Sequence, residues 1–291
     1  MLLKVCRSLV QGLALTGLVA GALTCVASAQ ETDLEQQLKV CQGETAGANP
    51  VTADAKIAAC TALLQSDRLT TRGKADVYVW RSEGYSVKGD SADEMSDLDL
   101  AIKADPTDAN AWAQSCSVHT WSGNQTAQAL KECTTAIQLA PDAASPWTFR
   151  GDIYLTQHDY KRAIADYDRA LKLDASWMWP WDNRGEAYLR LGNIAQAIQD
   201  FHQVIKVAPD YSMGYLDLGI AEVKRKNAPA ALSDFQAALK IQPKCAPCLY
   251  GRGLAKVMMG DQAGGRADIA QAKTISQNAP KMFQEDGVST P

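Results

Sequence analysis

"WDNRGEAYLRLGNIAQAIQDFHQVIKVAP", residues 181–209, reads as two short helices split by the turn "LGN" and closed by a proline. Stepping back 34 residues gives "WTFRGDIYLTQHDYKRAIADYDRALKLDA", residues 147–175, split by "QHD". In that copy Ile164, Tyr167, Ala170, Leu171 and Leu173 follow helical spacing. Each half is about 13 residues, a common helix length. Proline after the second half stops it, because proline cannot continue a helix.

The same step runs along most of the chain. Trp181 maps to Trp147 and Tyr215, and Gly185 to Gly151, Gly219 and Gly253. Ala197 maps to Ala163 and Ala231, Phe201 to Tyr167 and Phe235, Val204 to Ala170, Ala238 and Ala272, and Pro209 to Pro243. Small residues at the Gly185 and Ala197 positions let the two helices of a pair approach closely. An array of such units buries its core only by stacking on its neighbours.

An aromatic, Arg-Gly, a second aromatic three residues later, a small residue, a third aromatic and a closing turn, all in register, resemble the tetratricopeptide repeat. The resemblance covers about 75–279 and implies an all-α, right-handed α-solenoid of stacked antiparallel helix pairs. We place repeats at 75–109, 110–143, 144–177, 178–211, 212–245 and 246–279. Arg81, Tyr85, Gly89 and Pro106 fit the first, although Glu94 stands at a small-residue position. In the second, Ser117 replaces the glycine, and in the last, Gly265 replaces the alanine and weakens its helix. Residues 30–74 hold an irregular helix pair, about 32–41 and 53–65. It resembles the cysteine-bearing cap that precedes repeat arrays in exported bacterial proteins. Residues 280–291 form a short tail.

The N-terminus reads as a signal peptide over 1–29. Lys4 and Arg7 precede an apolar stretch from about Leu9 to Val26, and Ala27 and Ala29 mark a cleavage site. An uncleaved anchor is the alternative, since the stretch approaches spanning length. Leu23 and Thr24 before Cys25 do not suit lipid attachment. The net charge of −4 becomes −6 when Lys4 and Arg7 leave with the leader, and no long basic run occurs, so nucleic acid is not an expected partner. No later apolar stretch is long enough to span, and the expected location is periplasmic or secreted.

Of eight cysteines, Cys41, Cys60, Cys116, Cys133, Cys245 and Cys248 remain after the leader. An even number in an exported chain reads as disulfides. Cys60 and Cys133 share one slot of a second helix, and Cys116 faces that helix from its own pair. Cys116–Cys133 and Cys41–Cys60 are the expected pairings. Cys245 and Cys248 are then either a local staple between repeats or, as Cys-x-x-Cys at a helix start, a redox pair. Neither haem attachment nor four-cysteine zinc fits, because no histidine follows Cys248 and there is no second Cys-x-x-Cys.

Catalysis has little support. His119, His158 and His202 fall at unrelated repeat positions, and no phosphate-cradling or nucleophile-elbow motif occurs. Asp182, Glu186 and Arg190, four residues apart, read as a charge ladder on one helix face. The expectation is a non-enzymatic scaffold without metal or cofactor, holding a protein or peptide. A redox accessory using Cys245–Cys248 is the alternative.

"SWMWPWDNRG", residues 176–185, carries three tryptophans. Trp181 occupies the repeated aromatic position and is expected in the core. Trp179 points to the other side of the helix, and Trp177 lies in the turn. These two either pack against a neighbouring repeat or serve as aromatic anchors. The resemblance implies a concave groove lined by first helices, with candidates Trp121, Asp152, Trp179, Asp182, Asn183, Glu186, Arg190, Met213 and Leu216. Carboxylate-clamp grooves of the family use Lys, Arg and Asn. Here only Asn183 and Arg190 stand near, so an apolar or basic partner segment suits the surface better.

Overall fold

The computed structural model describes residues 33–44, 50–123 and 126–288. The signal-peptide reading at 1–29, with Cys6 and Cys25, lies outside the described residues. Among the described residues there are fifteen helices and no strand: α1 over 33–42, α2 Ala53–Gln65, α3 Thr71–Lys88, α4 Ser91–Ala104, α5 Ala109–Ser122, α6 Thr126–Leu139, α7 Ala144–Thr156, α8 Tyr160–Leu173, α9 Met178–Arg190, α10 Ile194–Val207, α11 Ser212–Lys224, α12 Ala228–Ile241, α13 Ala246–Met258, α14 Gln262–Ile275 and α15 Lys281–Glu285. They belong to two compact units that divide at Val118/His119. The fold is an all-α tetratricopeptide-type solenoid of helix pairs.

In the N-terminal unit, Cys41 on α1 is bonded to Cys60 on α2, with Cα atoms 4.9 Å apart. Both cysteines are fully buried beside Leu63 and Val77. Thr52 and Thr70 start α2 and α3 by accepting hydrogen bonds from Ala55 N and Gly73 N. Gly89 ends α3 with φ 74°, a left-handed conformation that glycine adopts without steric cost. Arg81 on α3 grips Asp97 on α4 through two hydrogen bonds of 2.6–2.7 Å.

In the C-terminal unit each helix from α7 to α14 packs on the next in the chain, and α7, α9, α11 and α13 also touch in succession. These four first helices therefore form one continuous row. Gly185 on α9 faces Phe201 on α10, and a Cβ there would lie 2.6 Å from the ring. Gly151 faces Tyr167 and Gly219 faces Phe235 in the same way. The unusual Gly265 meets Gly253: a Cβ on either would come within 2.7 Å of the other's carbonyl oxygen. What sequence reading takes as a weak helix position is thus a close backbone approach between α13 and α14. Hairpin turns carry one left-handed residue at a fixed place: His158 (φ 61°), Gly192 (80°), Lys226 (62°) and Gly260 (92°).

A polar staple repeats with the fold. Arg150 pairs with Asp166, Arg184 with Asp200 and Arg252 with Asp268, each through two nitrogens to two oxygens at 2.7–2.8 Å. Each joins a first helix to its own second helix across sixteen residues, as Arg81 and Asp97 do. Cys116 stands at the arginine position of its repeat, and there Glu132 meets His119 Nδ1 at 2.7 Å instead. Leu218 stands at that position in 212–245, which leaves Asp234 with no hydrogen-bonding or ionic partner among the described residues.

The chain does not end with the last pair. After α14 it turns back through Ala279, and α15 inserts Phe283, fully buried, between Phe235 and Tyr250, at ring separations of 6.0 and 5.2 Å. Val288 is also buried. The tail is an integral part of the row's surface.

Candidate partner-binding site

Helix α9 begins with Pro180 in its first turn, where a missing N–H costs nothing. That start aims three tryptophans in three directions. Trp181 is half-buried rather than core. Its indole N–H donates to Ala175 O at 3.0 Å and the Arg184 guanidinium lies 4.9 Å from its ring centre. Trp147 does the same with Pro141 O and Arg150. The repeated aromatic therefore clamps the preceding turn and shields the Arg–Asp staple, so its ring edge needs to reach a carbonyl at the surface. Trp177 packs edge-on against Phe149 on α7, at 6.0 Å. Trp179 packs edge-on against Tyr211 at 5.8 Å and lines a cavity.

The cavity has a volume of about 340 Å³ and lies between α9, α11 and the C-terminal turn. Trp179, Asp182, Asn183, Glu186 and Arg190 contribute from α9, Met213 and Asp217 from α11, and Met282, Glu285 and Asp286 from the tail. Arg190 ties the tail down. Its Nη2 holds Glu186 at 3.1 Å, its Nε lies 3.3 Å from Asp286 Oδ1, and its Nη1 donates to the Glu285 carbonyl. Lys224 donates to the carbonyls of Leu189 and Asp286 from outside the cavity.

Six of the nine residues expected to line a groove are brought together here. The other three are not. Leu216 is fully buried in the core, because an apolar side chain at the slot that Asp182 occupies one repeat earlier is drawn into the interior of α11. Trp121 is 70% exposed at the end of α5 and does not line the cavity. Asp152 sits behind the wall, accepting from Tyr167 OH and Asn183 Nδ2, both at 2.7 Å, so that it orients Asn183. Residues not anticipated are Tyr211, Asp217, Met282, Glu285 and Asp286. Repeat register places Tyr211 at the Trp177 slot and Asp217 at the Asn183 slot, a signal available in the sequence. Nothing local announces that the tail returns.

Asp182, Asp217 and Asp286 in the cavity, and Asp152 behind its wall, are shifted first by burial. Burial pushes Asp182 up to about 7, helped by the negative charge of Glu186 and opposed by a long 3.5 Å contact from Tyr211 OH. Burial, then Asp182, Glu186 and Asp286, hold Asp217 well above the ordinary range, against the pull of Arg190. Asp286 is raised to about 6, by burial first, with Arg190 acting against it. Asp152 is raised to about 6 by burial, which its two hydrogen bonds oppose.

The remaining candidates are placed simply. Cys245 and Cys248 are bonded to each other at the start of α13, and both are buried. Cys116 and Cys133 are also disulfide-bonded. His158 lies in a turn, His202 is exposed, and His119 is buried beside Glu132.

Profiles of the tetratricopeptide repeat match residues 151–213 in one case, and 121–176 and 183–245 in another. This is a tetratricopeptide-repeat protein. Among solved structures it is similar to Pseudomonas aeruginosa PilF, at 18% identity and a TM-score of 0.63 over 74% of this chain and 98% of that one. PilW, described as a widely conserved type IV pilus biogenesis factor, aligns at 16% identity and a TM-score of 0.60, over 69% and 92% of the two chains. YrrB, described as a TPR protein with an unusual peptide-binding site, aligns at 18% identity and 0.55, over 64% and 97%. No curated protein sequence matches. At these identities the likeness establishes the fold. Repeats of this kind present extended surfaces to protein partners, and the chain is a protein-interaction scaffold of that class. Among the described residues no helix is long and apolar enough to cross a membrane.

Proposed function

We propose that this tetratricopeptide-repeat protein is a non-enzymatic scaffold of the cell envelope that holds a partner segment on the α9–α11 face. The observation that carries the reading is the cavity at Trp179, where an aromatic pair, apolar side chains and incompletely satisfied carboxyls share one opening. Binding energy concentrates in buried aromatic anchors of this type. The peptide site named for YrrB belongs to that protein and supports a similar use of the fold here. Export is supported by the leader-like N-terminus and by the bonded, buried cysteines. Burial of Cys245 and Cys248 weighs against thiol exchange, which requires access to a sulfur.

The test is a photo-crosslinking residue placed at Met213, in the cavity wall, or at His202, exposed on α10. In living cells Met213 should yield a discrete crosslinked partner and His202 none. Trp179→Ala should weaken that partner by ~2 kcal/mol or more. Equal crosslinking from both positions, or none, overturns the reading. N-terminal sequencing of the envelope fraction should begin at Gln30.

A further inference from the structure

We propose that the cavity is a receptor for one cationic side chain, a lysine ammonium or arginine guanidinium, presented by the partner segment. The proposal rests on the partner-binding reading above and names the chemistry of that same site.

Five carboxyls line the opening: Asp182, Glu186, Asp217, Glu285 and Asp286. The cation among them, Arg190, is already spent on Glu186, Asp286 and the Glu285 carbonyl. Two oxygens remain buried without a hydrogen bond, Asp182 Oδ1 and Asp286 Oδ1, the latter near Arg190 Nε but out of line with it. The Asp182 residue is only 9% exposed, and it lines the cavity. A buried polar atom left unsatisfied is costly, so the site gains most from a donor.

The choice among occupants follows from the walls. An anion would meet five carboxyls. An apolar group would leave both orphan oxygens unsatisfied. A metal ion lacks a cage: no group of three His, Cys, Asp or Glu side chains among the described residues is arranged to hold one. A flexible cationic side chain satisfies the rest. Its methylene stem lies along Met213 and Met282, its head donates to Asp182 and Asp286, and the Trp179 and Tyr211 rings border the charge. The volume, about 340 Å³, is at the small end for ligand pockets and suits one side chain rather than a domain.

Burial, helped by the charge of Glu186, raises Asp182 to about 7, and burial with the charges of Asp182, Glu186 and Asp286 raises Asp217, so in the empty cavity these two hold protons more readily than an ordinary aspartate. An entering ammonium keeps its own proton and displaces those of Asp182 and Asp217 to solvent. The groups facing the head are Asp182, Glu186 and Arg190 from α9, Tyr211 and Asp217 from α11 and its approach, and Glu285 and Asp286 from the tail, with Lys224 behind. Binding therefore tightens as pH rises through 7.

The test uses the full chain, isotope-labelled so that the Trp179 indole is followed by NMR. It is titrated with the acetylated, amidated tetrapeptide Ala-Lys-Leu-Ala, its arginine analogue, and its norleucine analogue, which has the same stem without charge. The two cationic peptides should bind at least tenfold more tightly than norleucine at pH 8, and that advantage should shrink several-fold at pH 6. Asp182→Asn preserves shape and should remove most of the preference. Asp234→Asn, outside the cavity, should keep it, and melting curves report that both variants fold. Equal affinity for lysine and norleucine, no shift at Trp179, or a preference that survives Asp182→Asn overturns the proposal. Charge-blind binding at Trp179 would leave the partner-binding reading standing, whereas loss of the Met213 crosslink would remove that reading even if lysine were preferred.

Discussion

Repeats 178–211 and 212–245 have the same helix lengths, the same glycine-against-phenylalanine contact and opposite polar content. In the first, Arg184 bridges Asp200 in its own pair and Asp168 in the pair before. In the second, Leu218 replaces the arginine, Asp234 is left unpartnered, and burial with the charge of Glu222 pushes its carboxyl up to about 7. Helix α11 compensates by burial: Gly214, Leu216 and every residue from Leu218 to Val223 are buried. The two repeats show that the aromatic and small positions define the fold, whereas the ion pair is one of two ways to hold the pair closed. They also show why the cavity forms between them: α9 keeps a polar face toward α11, and α11 spends its apolar residues inward.

The sharpest break of that comparison is Arg184→Leu, which gives the first repeat the second one's residue. Asp200 is 3% exposed, burial already raises its carboxyl, and the substitution removes the Arg184 hydrogen bonds and charge that oppose that rise. Breaking one side of a buried pair costs ~3–5 kcal/mol. Urea denaturation should show a loss of that size, and a loss below about 1 kcal/mol would mean that the staple contributes nothing.

Next is Gly185→Val. A Cβ already falls 2.6 Å from the Phe201 ring, so the ring or a helix must move. Overpacking of this kind costs ~1–3 kcal/mol. Gly219→Val should do the same against Phe235, since both repeats share this contact. Unchanged melting of either variant would contradict the register.

The third prediction concerns pH. Asp182 and Asp234 are raised to about 7, and Asp152 and Asp286 to about 6. Unfolded aspartates ionise near pH 4. Between these values the folded state binds more protons, so stability should fall as pH rises from about 4 to 7. The opposing groups are Asp268, whose burial is outweighed by hydrogen bonds from Arg252 and Lys256, and Asp105, Asp159 and Asp174, each lowered by hydrogen bonds; all four ionise below that window. The melting temperature should be higher at pH 5.5 than at pH 8, and Asp234→Asn should flatten part of the slope. A rise in stability over the same range would show that these carboxyls are ionised in the fold.

The smallest effect separates the turns. His158 and Lys226 hold the left-handed conformation that Gly192 and Gly260 hold in sister repeats. Lys226→Gly should stabilise by about 0.5–1 kcal/mol, because relief of backbone strain exceeds the entropy glycine adds to the unfolded chain. Gly192→Lys should lose a similar amount, and melting curves of the pair should move in opposite directions.

Much of this architecture is local and therefore legible in the chain. Helix pairs, their turns and the close contact at Gly185 depend on residues within one period, and a repeated local pattern states itself several times over. The pairing of Cys41 with Cys60 follows from the same register. Individual side-chain fates were harder. Trp181 and Leu216 occupy well-defined slots, yet one reaches out to a turn carbonyl and the other is buried, because a slot sets direction along a helix and not what covers it. The cavity's α9 and α11 sides are legible through the repeat register. Its remaining wall depends on Glu285 and Asp286 meeting Arg190 some 95 residues away in sequence, a contact made because Phe283 finds burial between Phe235 and Tyr250. Periodicity determined the repeats by itself. Only tertiary structure decided the site, since the hydrophobic burial that folds the tail back is non-directional and leaves no spacing to read.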